Sequence, residues 1–211
     1  MRVVIAAAGT AGHINPGIAI ANKIKREEKG SKIIFIGTTR GLENDLVPRA
    51  GYELKTINAY GLSKKISIEN IKKMCKTIKG YGEAKKIISE FKPDIVIGTG
   101  GYVSGPVVMM AALMGIRTAI HEQNVFPGIT NKLLGKKVNN VFLGFEEAKK
   151  FFDSKSNPVF VGNPVRNENF SMTKSEAREK LNLKQESFIL LSVGGSGGSR
   201  SLNKAIRDMI P

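Results

Sequence analysis

The chain has two histidines, and each stands where a short apolar run gives way to a polar loop. The run Arg2 to Ala7 opens into Gly9-Thr10-Ala11-Gly12-His13, and the run Thr118 to His121 opens into Glu122-Gln123-Asn124. Imidazoles exchange a proton near neutral pH, and a carboxylate beside one can share that work or orient it. Lone histidines are more often structural; two on loops at one edge of a sheet point toward function. Two further glycine clusters follow apolar runs, at Gly100 to Pro106 and Gly194 to Ser199. Glycine lets backbone N–H groups come close to a ligand, and a helix starting after such a loop turns its positive end toward an anion. Any tight strand-to-helix turn uses glycine, so a single cluster would say little.

What these loops lack narrows the chemistry. None ends in the Gly-Lys-Ser/Thr of a triphosphate loop. The first does not follow the G-x-G-x-x-G order, and Gly37-Thr38-Thr39 stands where a dinucleotide fold carries its ribose-binding acid. No Asp-x-Asp pair occurs, and two histidines with one cysteine supply no metal-ligand cluster, so no metal and no cofactor are expected. The single Cys75 excludes an internal disulfide framework and fits a reducing compartment.

The formal charge of +15, from 33 Lys and Arg against 18 Asp and Glu, calls for an anionic partner. RNA recognition favours aromatic platforms, and 7% aromatic content without tryptophan makes nucleic acid a poor candidate. The longest mostly apolar run, Val103 to Ile116, is interrupted by glycine and proline and falls short of the ~20 residues a membrane span needs. The start, Met1 to Ile5, reads as a first strand, not a signal peptide.

Short β-branched runs alternate with helical stretches, which predicts an α/β fold with a Rossmann-like, doubly wound parallel sheet. Strands are expected at Arg2 to Ala7, Lys32 to Ile36, Glu53 to Ile57, Asp94 to Gly98, Thr118 to His121, Asn140 to Leu143 and Pro158 to Val161, all read as buried on both faces. Helices are expected at Asn15 to Glu28, Gly41 to Arg49, Ile68 to Glu90, Ser104 to Met114 and Pro127 to Leu134. These make a first domain over residues 1–166. Residues 167–211 read as the opening of a second Rossmann-like unit: a helix at Lys174 to Leu181, a strand at Ser187 to Val193, the glycine cluster, and an apolar-periodic segment from Leu202 to Ile210. One strand cannot form a sheet, so the chain reads as truncated. Of the fifteen excess positive charges, thirteen lie ahead of Glu168.

Nine lysines fall between Lys64 and Lys92, and Ile71, Met74, Cys75, Ile78 and Tyr81 recur at helical spacing among them. Periodicity alone favours an ordinary crossover helix with its stripe on the sheet and its lysines in water.

Taken in order, AGTAGHINPGIA at Ala8 to Ala19, DLVP at Asp45 to Pro48, GGYVSGP at Gly100 to Pro106, HEQN at His121 to Asn124, GNPVR at Gly162 to Arg166 and GGSGGS at Gly194 to Ser199 form a specific set spread along the whole chain. The chain resembles the family of bacterial cell-wall glycosyltransferases that move N-acetylglucosamine from UDP-GlcNAc to lipid I, the undecaprenyl-pyrophosphoryl-N-acetylmuramoyl-pentapeptide. The resemblance implies the N-terminal half of a GT-B glycosyltransferase, with the acceptor lipid on the first domain and most UDP contacts on the second, located peripherally on the cytoplasmic face of the cell membrane. It implies that Thr10, Ala11 and Gly12 line the donor site, that Asn124 meets the donor sugar, and that Arg166 and Ser196 hold the nucleotide. It makes His13 the leading candidate for general base with Glu122 as its rival, and it assigns Tyr102 and Ser104 to the acceptor's pyrophosphate or sugar. It also turns the basic helix into a membrane contact through Ile71, Cys75, Ile78 and Tyr81, framed by Lys72, Lys73, Lys76 and Lys79, that meets an anionic lipid surface. Three departures stand out: Ala8 and Ala11 replace glycines of the family's usual GGTGGH, and Gly197 stands where glutamine is common. Two other readings share parts of this pattern, a non-catalytic membrane-binding module and a sugar-nucleotide epimerase of the same architecture.

Overall fold

The computed structural model describes all residues except 62–66, 166–171, 195–197 and 211. By Cα packing the chain forms two units, Met1–Glu168 and Asn169–Pro211. In the first, β1 (Arg2–Ala7), α1 (Ala11–Glu27), β2 (Lys32–Gly37), α2 (Glu43–Arg49), β3 (Glu53–Thr56), α3 (Ile68–Phe91), β4 (Ile95–Gly100), α4 (Ser104–Leu113), β5 (Arg117–Glu122), α5 (Ile129–Leu134), β6 (Asn140–Leu143) and β7 (Pro158–Phe160) alternate along the chain. Two short 3-10 turns, Glu146–Phe151 and Ser154–Ser156, stand where the last crossover would carry a helix. The seven strands pair in parallel in the order β3-β2-β1-β4-β5-β6-β7. The expected fold class is therefore the one observed.

Period-two alternation divides β1 between two cores. Val3, Ile5 and Ala7 pack with Ile14, Ile18 and Ala21 of α1 and with Phe35, Val47 and Tyr52. Val4 and Ala6 pack on the other face with Ala84 and Ile88 of α3, Val107 and Val108 of α4, and Leu134 of α5. Both halves of the pattern are apolar because both faces are covered. The edge strands differ from the expectation of burial on both faces: β3 is mostly exposed and β7 has exposed Val159 and Phe160, since each has a partner on one side only.

Helix α3 has two characters. Toward its C-terminus Ala84 and Ile88 are buried and Ile87 and Phe91 pack against the core, as a crossover helix should. Toward its N-terminus Met74 and Ile78 are 47% and 62% exposed, Cys75 is exposed, and Lys72, Lys76 and Lys79 are exposed beside them. Tyr81 is half-buried, and the side chain of Ile71 lies outside the described residues. So the predicted stripe packs on the sheet only below about Gly80, which fits close against the carbonyl of Asn58.

In the second unit, α6 (Lys174–Lys180) begins with a capping box between Thr173 and Glu176, and α7 (Arg200–Met209) is capped by the Ser199 hydroxyl. Residues 187–193 form no strand, contrary to expectation: Phe188 and Leu191 are 92% and 80% exposed, as follows when an apolar run has no neighbouring strand to bond.

The two halves of α3 give unequal mutants. Ile88→Ala should destabilise the protein by about 2–5 kcal/mol through a core cavity, whereas Ile78→Ala should stay within about 0.5 kcal/mol. Urea denaturation of both variants measures the difference.

Candidate functional site

Strands β1 and β4 are neighbours, yet β1 runs on into α1 on one face of the sheet and β4 into α4 on the other. Their loops therefore diverge beyond the carboxyl ends, and ligands of open α/β sheets bind at such a switch point. The pairing shifts here: Ala6 sits opposite Gly98 and Ala7 opposite Gly100, so Thr99 is passed over. Bulges of this kind re-aim the backbone beside active sites. Thr99 is fully buried, its hydroxyl donates to the His13 carbonyl at 2.8 Å, and its own carbonyl accepts from Gln123 Nε2 at 2.8 Å. Gly100 follows at φ +116°, where a Cβ would lie 2.8 Å from Cε1 and 2.9 Å from Cγ of the His13 ring. Gly101, at φ +80°, would bring a Cβ within 2.9 Å of the Ala8 carbonyl carbon. Only glycine combines this backbone sign with this closeness.

His13 lies in the first turn of α1, half-buried, with Nδ1 3.2 Å from Gln123 Oε1. His121, 1% exposed at the end of β5, places Nδ1 3.0 Å from Gln123 Nε2 and Nε2 3.0 Å from the Gly162 carbonyl. The two imidazoles thus occupy one edge of one sheet, joined through a single amide. Burial pushes the His121 pKa below its ordinary value of 6.5, opposed by the Gly162 carbonyl and the charge of Glu122. The GNPVR segment adds a buttress, since Asn163 Nδ2 donates to the Gln123 carbonyl at 3.3 Å.

Thr10 and Gly12 are exposed and Ala11 half-buried at the start of α1, where the Thr10 side chain makes no capping bond. Neither Ala8 nor Ala11 adopts a positive φ, so the methyl groups that replace glycine are accommodated, and Gly9 takes the left-handed position at φ +93°. Asn124 is exposed beyond β5. Tyr102 is 58% exposed, with its ring over Gly61. Arg166 and Ser196 lie outside the described residues.

Two candidates do other work. Glu122 is 1% exposed, and its carboxylate accepts four N–H bonds, from the backbone and side chain of Asn124 at 2.9 Å each, from Gly128 N at 3.1 Å and from Asn131 Nδ2 at 2.9 Å. All four lone-pair positions are taken, which makes it the organiser of the loop and not a base open to substrate. Ser104 is fully buried; its oxygen accepts from Gly100 N at 3.1 Å, and its one proton faces the Gly100 carbonyl at 2.9 Å and the Ala6 carbonyl at 3.1 Å. It staples the second glycine loop to β1.

On the other side of the first glycine loop an open pocket of about 380 Å³ is lined by Gly9, Thr38, Arg40, Tyr60, Lys73 and Tyr102, among others. The Arg40 guanidinium stacks 3.8 Å above the Tyr60 ring and donates to the Ala59 carbonyl at 3.0 Å. Beneath the pocket Glu43, fully buried, accepts from Gly9 N at 2.9 Å, Thr38 N at 2.9 Å and Thr38 Oγ1 at 2.7 Å, tying the loops after β1 and β2 together. Sequence reasoning missed Arg40, Glu43, Thr99 and Gln123. Only Gln123 carried a signal, its place inside HEQN; the others are visible only once distant loops meet.

Fold and site together define a Rossmann-like domain with an imidazole and a basic pocket at its switch point. Residues 3–143 match the glycosyltransferase family 28 N-terminal domain, and the chain belongs to that family. A protein of Thermoanaerobacter sp. (strain X514), 51% identical over 96% of this chain and 56% of its own length, and one of Alkaliphilus metalliredigens (strain QYMF), 48% identical over 100% of this chain and 57% of its own, are both called UDP-N-acetylglucosamine--N-acetylmuramyl-(pentapeptide) pyrophosphoryl-undecaprenol N-acetylglucosamine transferase. The crystal structure of Acinetobacter baumannii MurG superposes with a TM-score of 0.72 at 29% identity, over 96% of this chain and 55% of that one. The chain spans about half the length of the relatives it matches.

His121 makes stability depend on pH. Its folded pKa is depressed, so the unfolded chain binds the proton more readily, and stability is lost as pH falls below the ordinary histidine range near 6.5. Urea midpoints measured between pH 8 and about 5 should fall, and His121→Gln should flatten the part of the slope that histidine contributes.

Proposed function

We propose that residues 1–166 are the acceptor-binding half, and residues 167–211 the beginning of the donor-binding half, of an inverting glycosyltransferase that moves N-acetylglucosamine from UDP-GlcNAc to the 4-hydroxyl of the MurNAc unit of lipid I, forming lipid II. The observation that carries this reading is the His13 imidazole at the switch point, with no protein partner on Nε2 among the described residues and a basic pocket across the same glycine loop. In the reaction the acceptor oxygen attacks C1 of the donor sugar from the face opposite UDP. The C1–O bond to UDP breaks as the new one forms, inverting α to β. His13 Nε2 takes the hydroxyl proton. Thr10, Ala11 and Gly12 hold the donor at the positive end of α1, Asn124 meets its sugar, and Arg166 and Ser196 hold its nucleotide. Arg40, Lys73 and Tyr102 receive the acceptor pyrophosphate, and the chemistry calls on no metal or cofactor.

The same reading puts the protein peripherally on the cytoplasmic face of the membrane, where the acceptor lipid resides. Helix α3 supports it, because Lys73 lines the pocket while Met74 and Ile78, one and five residues on, are exposed among lysines. No helix among the described residues is long and apolar enough to cross a membrane. Each lysine near an anionic surface contributes about 1 kcal/mol.

In a chain extended to the relatives' full length, radiolabelled UDP-GlcNAc and a soluble lipid I analogue should give a disaccharide product. A non-catalytic module gives none, and an epimerase converts the donor without acceptor. His13→Ala should lower the rate by about 10²–10⁴ with little change in UDP affinity; a variant that retains its rate removes His13 as the base. Replacing Lys72, Lys73, Lys76 and Lys79 by glutamate should reduce co-sedimentation of residues 1–211 with phosphatidylglycerol vesicles, and undiminished binding would remove α3 from the membrane contact.

A further inference from the structure

Gln123 faces more partners than its two ends can serve arbitrarily, and this fixes the protons around it. Its Nε2 lies 2.8 Å from the Thr99 carbonyl and 3.1 Å from the His121 carbonyl. Carbonyl oxygens only accept, so the end of the amide that meets them is the NH₂ group, and the oxygen end is turned to His13 Nδ1 at 3.2 Å. An amide oxygen only accepts as well. Nδ1 of His13 must therefore carry the proton, and a neutral imidazole with its proton on Nδ1 leaves a bare lone pair on Nε2. His121 Nε2 lies 3.0 Å from the Gly162 carbonyl, which only accepts, so Nε2 carries that ring's proton and Nδ1, 3.0 Å from the same NH₂ group, is bare.

We propose that Gln123 is a positioning residue that locks the two histidines in opposite tautomers, keeping His13 in the Nδ1–H form so that Nε2 is its basic nitrogen. The catalytic meaning of this lock rests on the reading of His13 as the base, but the lock itself does not. Proton uptake at Nε2 leaves the Nδ1–H bond to Gln123 in place, so the imidazolium forms without rearrangement. The His13 ring is held for this by its neighbours: Thr99 fixes its backbone carbonyl, and Gly100 leaves the ring its space. The conventional role for a polar residue at this position, closing the loop after β5, is already filled by Glu122.

The test reads tautomers directly. In ¹⁵N-labelled residues 1–211, long-range proton–nitrogen correlation spectra at a pH well above the ordinary histidine range resolve two imidazoles, and His13→Ala identifies which is which. Wild type should show His13 protonated on Nδ1 and His121 protonated on Nε2. Gln123→Leu should shift His13 toward Nε2–H. Gln123→Glu keeps an acceptor beside His13 and should preserve its Nδ1–H form, while His121 loses the donor to its Nδ1. A merely structural glutamine would leave these populations unmoved. His13 found mainly as Nε2–H in wild type, or unchanged in a folded Gln123→Leu variant, overturns the proposal. If the leucine variant does not fold, wild type and Gln123→Glu decide. Turnover does not enter this measurement, so loss of the lock and loss of the base assignment are told apart: the first is seen in the spectra, the second in the rate of His13→Ala.

Discussion

The arrangement depends on the meeting of β1 and β4, two adjacent parallel strands whose crossover helices leave for opposite faces. Sheet geometry alone opens a gap between their loops, and the skipped residue Thr99 converts it into a site. With its side chain and carbonyl facing different neighbours, Thr99 fixes the backbone of His13 and the amide of Gln123 at once. The two glycines after it take a backbone sign and a closeness that no other residue tolerates, so the position of the imidazole is set by sterics as much as by hydrogen bonds.

Charge is distributed with equal economy. The chain is strongly basic, yet the carboxylates nearest the crevice, Glu43 and Glu122, are buried without a cation beside them in any ion pair among the described residues. Each is satisfied by N–H donors instead, three on Glu43 and four on Glu122. Charge-assisted bonds of this kind are stronger than neutral ones, and losing a partner to them is costly. They give the glycine loops fixed shapes while leaving Arg40 free of them, and Lys73 of α3 pairs instead with Glu69 on its own helix at 2.7 Å. The anion-attracting field is thus made by the surface, and the precision by the buried acids beneath it.

Helix α3 joins the two functions proposed for the domain. Its C-terminal half is an ordinary core element, and its N-terminal half stands away from the sheet with apolar and basic side chains exposed together. Lys73 lies within that exposed half, lining the pocket that adjoins the first glycine loop.

Strand and helix positions of the first unit, its parallel sheet and the two histidines at one carboxyl edge were legible in the sequence, because strand alternation and glycine turns are local signals, whereas the strand expected at Ser187 to Val193 does not form. Family motifs likewise marked loops that converge within the first unit, those carrying His13, Gly100 and Gln123. Tertiary structure alone decided the jobs of individual side chains. Glu122 and Ser104 have the chemistry of a base and a ligand, and only their burial against N–H and carbonyl partners from other segments turns them into staples. Arg40, Glu43 and Thr99 gave no sign, since their partners lie on loops brought together by the sheet. Sequence spacing records which face a residue takes, whereas how loops close decides which lone pairs are filled, by near neighbours for Glu122 and by Ala6 of β1 for Ser104.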